Sequence, residues 1–375
     1  EHYAPETKSG VVRARDSGDG LPFQVCEGQT WCPKVGDVVQ FHVATVDGRP
    51  MAMNIVALSS LAEMAGGRLE PKRPPPQQNE LMAAKHFMRR HARRAADEDF
   101  THSSILGARD DFAPGTGRFS FGDDESTQQQ LARNMDVLYR HGQPKLYLLE
   151  VPTEWHALAE DIDVEGDQNS GTPAIMAPER GELELLRWRA TALRQVFPTA
   201  DLSCALYSAS GWHAGSQLYK ESYRLVWPKV VVNKDRASKV RQATIEFFEK
   251  WSQLPDHPLA QLQGRLRSSH RCNTWENVFG AAATGPQGGL RLPLCDKRLQ
   301  TPSLQWRDED RPMLPVAELE FEFGKSEDDA SMEFCTRVVT RHRLENKSLW
   351  EWARLGMCRR PQETRSSYFR EPALQ

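Results

Sequence analysis

The chain has 375 residues, room for two or three domains and for a sizeable core in at least one of them. A hydrophobic fraction of 39% with 26% charged residues is that of a folded soluble protein, and no apolar run approaches the length needed to span a bilayer, which excludes a helical membrane protein. The net charge of -3 does not by itself point to a nucleic-acid partner, so the distribution of charge carries the information.

Basic residues gather at Lys85, Arg89, Arg90, Arg93 and Arg94 and again from Lys220 to Arg241. Acidic ones gather at Asp123 to Glu125, Glu160 to Glu165 and Asp308 to Asp310. Both signs, held apart, suit a metal-dependent enzyme acting on polyphosphates. The 7 cysteines, Cys26, Cys32, Cys204, Cys272, Cys295, Cys335 and Cys358, include no close pair at the spacing of a zinc knuckle or ribbon, so structural zinc is not expected. Their odd number and wide spread read as reduced thiols in an intracellular compartment. The chain starts at Glu1 rather than Met, as expected of a piece of a longer precursor with any targeting segment out of view.

From Gly10 to Leu58 the runs "GVVRARD", "PFQVCEG", "DVVQFHVATV" and "PMAMNIVAL" are separated by Gly and Asp, which predicts a small all-β barrel over residues 1–60. The order "KVGDVVQFHV" then "DGRPMAMNIVAL" resembles the second half of a cold-shock domain, an OB-type barrel. That resemblance implies single-strand binding through Phe23, Trp31 and Phe41, although these aromatics serve equally well to fill a small core. The proline-rich "EPKRPPPQQNE" cannot build a core and marks residues 61–127 as a partly disordered linker. Within it "ELMAAKHFMRRHARRAADEDF" predicts a basic helix, expected to be solvated rather than a nucleic-acid contact, and Gly107 to Thr127 predicts a loop.

Residues 128–360 predict a second globular unit. The helix "TQQQLARNMDVLYRHG" precedes the strands "KLYLLEVP" and "HALAEDIDVE", the helix "ERGELELLRWRATALRQVFP", the strands "LSCALYSAS", "ESYRLVWP" and "KVVVN", and the helix "RASKVRQATIEFFEKWSQL". This alternation predicts an α+β fold with helices on one face of a mixed sheet. Further on, "AELEFEFGK" predicts a strand, "SMEFCTRVVTRHRL" a helix and "SLWEWARLGM" a last helical segment, with 361–375 as a tail.

Three separated segments carry chemistry. In "ALAEDIDVEG" the i, i+2 spacing projects Asp161 and Asp163 from one face of a strand, where they could share hard divalent cations; solvated turn residues are the plainer explanation of that pair alone. In "KESYRLVWP" Ser222 and Arg224 share a face, with Lys220 beside them, and a hydroxyl next to a guanidinium suits a triphosphate. In "NTWENVFGAAATGPQGGLRLPLCDK" Glu276 leads through a Gly-rich loop to Arg291 and Lys297, a second anionic contact.

In order and spacing, "DID", "KESYRLVWP" and "ENVFG…GGLRLPLCDK" resemble the three motifs of the archaeo-eukaryotic primase and primase-polymerase superfamily, over roughly residues 145–297. The resemblance implies a palm built on an RRM-like sheet and template-dependent nucleotide transfer on a single-stranded DNA or RNA template. It implies that Asp161, Asp163 and Glu276 hold two Mg²⁺ or Mn²⁺ ions. Ser222, Arg224 and Lys297 would then hold the incoming nucleoside triphosphate, with Lys220 and Arg291 in support. Two positions depart from the family's pattern: Arg224 stands where the family has His, and Trp275 stands three residues before Val278, where the third acid is expected, so Glu276 takes that role by a one-residue slip. Two other functions stay open, a catalytically inactive primase-like binder of single strands and a cold-shock-type RNA-binding regulator. The resemblance implies a location in the nucleus or a DNA-containing organelle and no membrane partner.

Overall fold

In the amino-terminal unit the Gly- and Asp-punctuated runs form β1 (His2–Ala4), β2 (Ser9–Arg13), β3 (Gly20–Gln24), β4 (Val39–Val46) and β5 (Arg49–Ala57). The computed structural model describes residues 2–4, 9–13, 20–24, 39–46, 49–57, 78–93, 100–104, 117–141, 146–166, 184–213, 218–280, 289–300, 306–308, 312–325, 333–361 and 366–369, and the chain divides into units 1–70 and 71–375. The five strands make one sheet in the order β1-β2-β3-β5-β4, antiparallel except for β3 with β5. Among the described residues no pairing of β1 with β4 closes it into a barrel. Phe23 is buried, whereas Trp31, Cys26, Cys32 and the proline-rich stretch fall outside the described residues.

The second unit runs α1 (Gln78–His91), β6 (Ala92–Arg93), β7 (His102–Ser104), β8 (Arg118–Phe119), α2 (Glu125–His141), β9 (Leu148–Glu150), β10 (His156–Glu165), α3 (Glu184–Val196), β11 (Cys204–Ser208), β12 (Gly211–His213) and β13 (Leu218–Val232). It continues through α4 (Lys234–Ser252), α5 (Pro258–Ser269), α6 (Trp275–Val278), β14 (Phe279–Gly280), β15 (Leu290–Arg291), β16 (Arg298–Gln300), β17 (Trp306–Asp308), β18 (Leu314–Lys325), β19 (Glu333–Arg343) and α7 (Leu349–Leu355).

The main sheet has the order β14-β10-β13-β11-β18-β19, with β12 beside β13. Its first four strands, with α3 and α4, form a β-α-β-β-α-β unit in which β13 lies between β10 and β11, the split βαβ arrangement of an RRM-like sheet. Every pairing is antiparallel, which corrects the expectation of a mixed sheet. The physical reason is that β10 and β11 do run the same way, but β13 separates them.

Sequence signals fix most of these elements. Asn233 caps α4 by accepting the Arg236 N–H at 3.0 Å, and Val240, Ile245, Phe247 and Phe248 form its buried stripe. Pro258 opens α5, where its missing N–H is harmless. Two differences are informative. "ESYRLVWP" and "KVVVN", expected as two strands, are one strand, because a register shift at Ala157/Leu158 absorbs Pro228 without breaking β13. "SMEFCTRVVTRHRL", expected as a helix, is the edge strand β19: Thr336, Val338, Val339 and Thr340 are β-branched and β18 offers them a partner. Opposite charges then meet across that pair, with Arg341 3.0 Å from Glu320 and Arg337 in register with Glu322.

Helices α3, α4 and α5 cover one face of the main sheet over Ile162, Leu225, Trp227 and Phe248. A second sheet, β15-β9-β7-β8-β6, packs with α1, α2 and α7 around Phe119, Leu131 and Met135. The other face of the main sheet is lined by Ala157, Ala159 and Ala205 with Tyr207 and Val226, and meets Leu290, Met313 and Cys358. Small side chains permit that close approach. Gly356 belongs to it, since a Cβ there would strike Pro293 and the Tyr207 ring. Cys204, Cys272, Cys295, Cys335 and Cys358 are free thiols, all but Cys272 buried, and among the described residues no helix is long and apolar enough to cross a membrane.

On the helix-covered face Glu160 accepts from both Arg189 and the Trp227 indole, the latter at 2.8 Å. Arg189 is fully buried, so removing its partner strands a charge. Glu160→Ala is expected to lower the free energy of unfolding by about 3 kcal/mol. Urea denaturation measures this, and a change well under about 1 kcal/mol would show that water screens the pair.

Candidate functional site

Alternation along β10 sends Leu158, Glu160, Ile162 and Val164 toward the helices and Ala159, Asp161 and Asp163 to the opposite face. Along β13 it sends Tyr223, Leu225 and Trp227 to the helices and Ser222 and Arg224 to the face of the acids. The register sets Asp161 directly opposite Arg224 and Asp163 directly opposite Ser222. Cross-strand neighbours of this kind are in contact range by construction, and here they pair fully.

Arg224 grips Asp161 with its fork, Nε to Oδ1 at 2.7 Å and Nη2 to Oδ2 at 2.9 Å, while its Nη1 donates to the Arg291 carbonyl at 2.5 Å. Ser222 Oγ donates to Asp163 Oδ1 at 2.7 Å, and Lys220 Nζ stands 2.9 Å from Asp163 Oδ2. Burial alone would raise the Asp161 pKa. The charge and hydrogen bonds of Arg224, with the charges of Arg291 and Lys220, outweigh it and hold the carboxyl below its ordinary value. Arg224 is raised in turn: burial acts against its charge, and Asp161 more than compensates.

Arg291 reaches the site from β15, which pairs with β9 in the second sheet. Beyond it the chain turns at Leu294, whose φ of 64° lies in the left-handed region, and Leu294 N–H to the Met313 carbonyl at 2.8 Å fixes that bend. Lys297 follows, half-buried, just before β16.

Glu276 does not join the aspartates. In the four-residue helix α6, Trp275 takes the buried side, packed on Phe248 and Phe279 with its indole N–H 2.9 Å from Ser252 Oγ, and this turns Glu276 outward. Its side chain is 63% exposed and accepts from Arg241 Nη2 at 3.0 Å. Arg241, which sequence reasoning missed, also donates to the Phe279 carbonyl at 2.7 Å and so pins the turn into β14. Nothing in the local pattern distinguishes it from the other surface cations of α4. Gly280 follows, in register with Asp161. Among the described residues no three His, Cys, Asp or Glu side chains are grouped to hold a metal ion. A pair of divalent ions needs free carboxylate oxygens, whereas both oxygens of Asp161 accept from Arg224 and those of Asp163 face Ser222 and Lys220. The residues in this arrangement do not fit a two-metal centre.

Two contacts from outside the motifs complete the surroundings. Cys358 packs in the cluster of Ala157, Ala159 and Val226 on the acids' face of the sheet, and the segment carrying it is held by Glu150, a buried carboxylate that accepts the N–H groups of Cys358, at 3.0 Å, and Arg359. Arg359 in turn grips Asp123 at 2.6 and 2.8 Å.

Residues 112–283 match the family model described as C962R protein N-terminal AEP domain, AEP being archaeo-eukaryotic primase. For this segment the match supports the archaeo-eukaryotic primase superfamily, a superfamily of primase-like nucleotidyltransferases. The match contains Asp161, Asp163, Lys220, Ser222, Arg224 and Glu276, and ends before Arg291 and Lys297. No curated protein matches the chain.

A depressed Asp161 pKa stabilises the fold fully above the unfolded value of about 3.9, and that contribution is lost as pH falls through the lower folded value. Wild type is therefore expected to exceed Asp161→Asn in stability by a constant margin from about pH 5 upward, shrinking below about pH 4. Urea titrations at a series of pH values check this, and a margin that grows on acidification would contradict it.

Proposed function

We propose that this chain is a primase-type domain that binds single-stranded nucleic acid without performing two-metal nucleotidyl transfer. The observation that supports it is the occupation of the acidic pair by the protein's own cations, with buried Trp275 where a third acid is expected and Glu276 turned to Arg241. A histidine in place of Arg224 could be neutral and leave Asp161 free, whereas a guanidinium is charged at every working pH and matches a carboxylate with two parallel bonds.

The same geometry supports phosphate contact. Arg224, Lys220 and Arg291 stand around two carboxylates, so the face is not repulsive to an anion, and Ser222 and Lys220 can turn from Asp163 to phosphate oxygens. Nucleoside triphosphates and single-stranded DNA or RNA are the proposed ligands, with Lys297 as a further contact. The amino-terminal sheet enters the proposal as an OB-type module: its five strands in the order β1-β2-β3-β5-β4, with β3 parallel to β5, support a partly open Greek-key barrel. A nuclear or organellar location rests on this reading alone.

A second reading, templated nucleotidyl transfer with Mg²⁺ or Mn²⁺, is favoured by Asp161 and Asp163 standing on one face with Ser222. It requires Arg224 to release Asp161. Labelled single-stranded oligonucleotide is expected to bind, and primed template with nucleoside triphosphates and either metal is expected to give no extended product. Product that disappears in the Asp161→Ala, Asp163→Ala double variant would replace the proposal with the second reading. Deleting residues 1–70 is expected to weaken binding without abolishing it; complete loss would favour an RNA-binding regulator acting through the amino-terminal unit.

A further inference from the structure

Among the described residues most charges on the strands of the main sheet meet opposite charges. On the β18–β19 pair Glu322 lies opposite Arg337, Glu320 is 3.0 Å from Arg341, and Glu318 pairs with Lys347. At the edge of the second sheet β6 pairs with β8 so that Arg93 stands directly opposite Arg118. Like charges directly opposite each other across strands repel, and an anion bound beside them would ease that repulsion.

The helix that leads into β6 adds to this charge. In α1, Leu81, Ala84, Phe87 and Met88 are buried, which leaves His86, Arg89 and Arg90 exposed on the opposite side, and Arg93 is exposed just beyond. Glu80, in the first turn, is the sole carboxylate of the helix. His86, Arg90 and Arg93 make no ion pair among the described residues; the acidic run 97–99 lies outside them. The Arg118 guanidinium carbon stands over the Phe100 ring, 4.5 Å from its centroid, and both residues are half-exposed. A planar guanidinium backed by an aromatic ring is a platform on which a nucleobase can stack.

We propose that the exposed face of α1 with Arg93 and Arg118 is a docking surface for the phosphate backbone of single-stranded nucleic acid, with the Arg118/Phe100 stack receiving a base. The inference rests on the nucleic-acid-binding function proposed above and gives it a location outside the primase-matched segment for all but Arg118. Arginine rather than lysine at each central position, together with a stacking platform, favours a nucleic acid over a lipid surface, which would be met by point charge alone. This changes the expectation for the basic helix from a solvated face to a binding one.

The test uses the full chain and a fluorescently labelled single-stranded DNA, with anisotropy followed across salt concentration. Arg90→Gln together with Arg93→Gln is expected to weaken binding by about tenfold or more at about 0.1 M salt and to make the log–log salt slope shallower by about 1.4, two lost contacts at about 0.7 each. Arg90→Lys with Arg93→Lys is expected to keep the wild-type slope, and both variants should show a thermal midpoint no lower than wild type, because the side chains are exposed and the glutamine pair also removes the Arg93/Arg118 repulsion. Wild-type affinity and slope in the glutamine variant would overturn this inference while leaving the proposed function standing. Failure of the wild-type chain to bind the oligonucleotide would overturn both. Binding to phosphatidylserine vesicles that the glutamine pair alone abolishes, with oligonucleotide affinity unchanged, would assign the surface to a membrane instead.

Discussion

The bidentate pair between Asp161 and Arg224 is the constraint on which the rest of the site depends. It joins β10 to β13 within one sheet, and through the Arg291 carbonyl it joins that sheet to the next. A buried guanidinium and a half-buried carboxylate are tolerable there because each nitrogen of the fork and each oxygen of the carboxylate has a partner; remove one member and the other is left in a poor solvent. The pair also decides what chemistry is available. An ion seeking Asp161 must compete with a guanidinium already in ideal geometry, and no accessible pH neutralises that competitor.

Around the pair, packing follows from side-chain size. Alanines at 157, 159 and 205 lower the surface of the main sheet so that Leu290, Met313 and Cys358 can close on it, and the acids appear where β10 passes beyond this cover. The carboxy-terminal segment is therefore part of the site's foundation rather than an appendage. Glu150, fully buried and raised in pKa by that burial, spends its oxygens on the Cys358 and Arg359 amides, and Arg359 returns a fork to Asp123. Further along, the Ser367 N–H reaches the Val231 carbonyl at 3.1 Å and Phe369 packs on Phe197.

The third motif shows how a core residue can redirect a functional one. Trp275 is large, buried and hydrogen-bonded to Ser252, so it fixes the rotation of a helix only one turn long. Glu276, its neighbour, is carried to the outer side regardless of its charge, and Arg241 meets it there. Side chains adjacent in a helix do not share a face.

What the sequence determined alone were the features that repeat locally. Period-two alternation placed Asp161 with Asp163 and Ser222 with Arg224, caps and buried stripes placed the long helices, and the acid–hydroxyl–cation order pointed to the primase superfamily. Other features needed the fold. Which cation meets which carboxylate depends on a register that only the completed sheet sets; β19 is a strand because β18 lay open beside it; and Glu276 was displaced by packing at Trp275. Arg241, Glu150 and Arg359 carry no local signal at all, since an ion pair or amide contact across tens to hundreds of residues is a property of tertiary proximity, and the chain order of charges does not encode it.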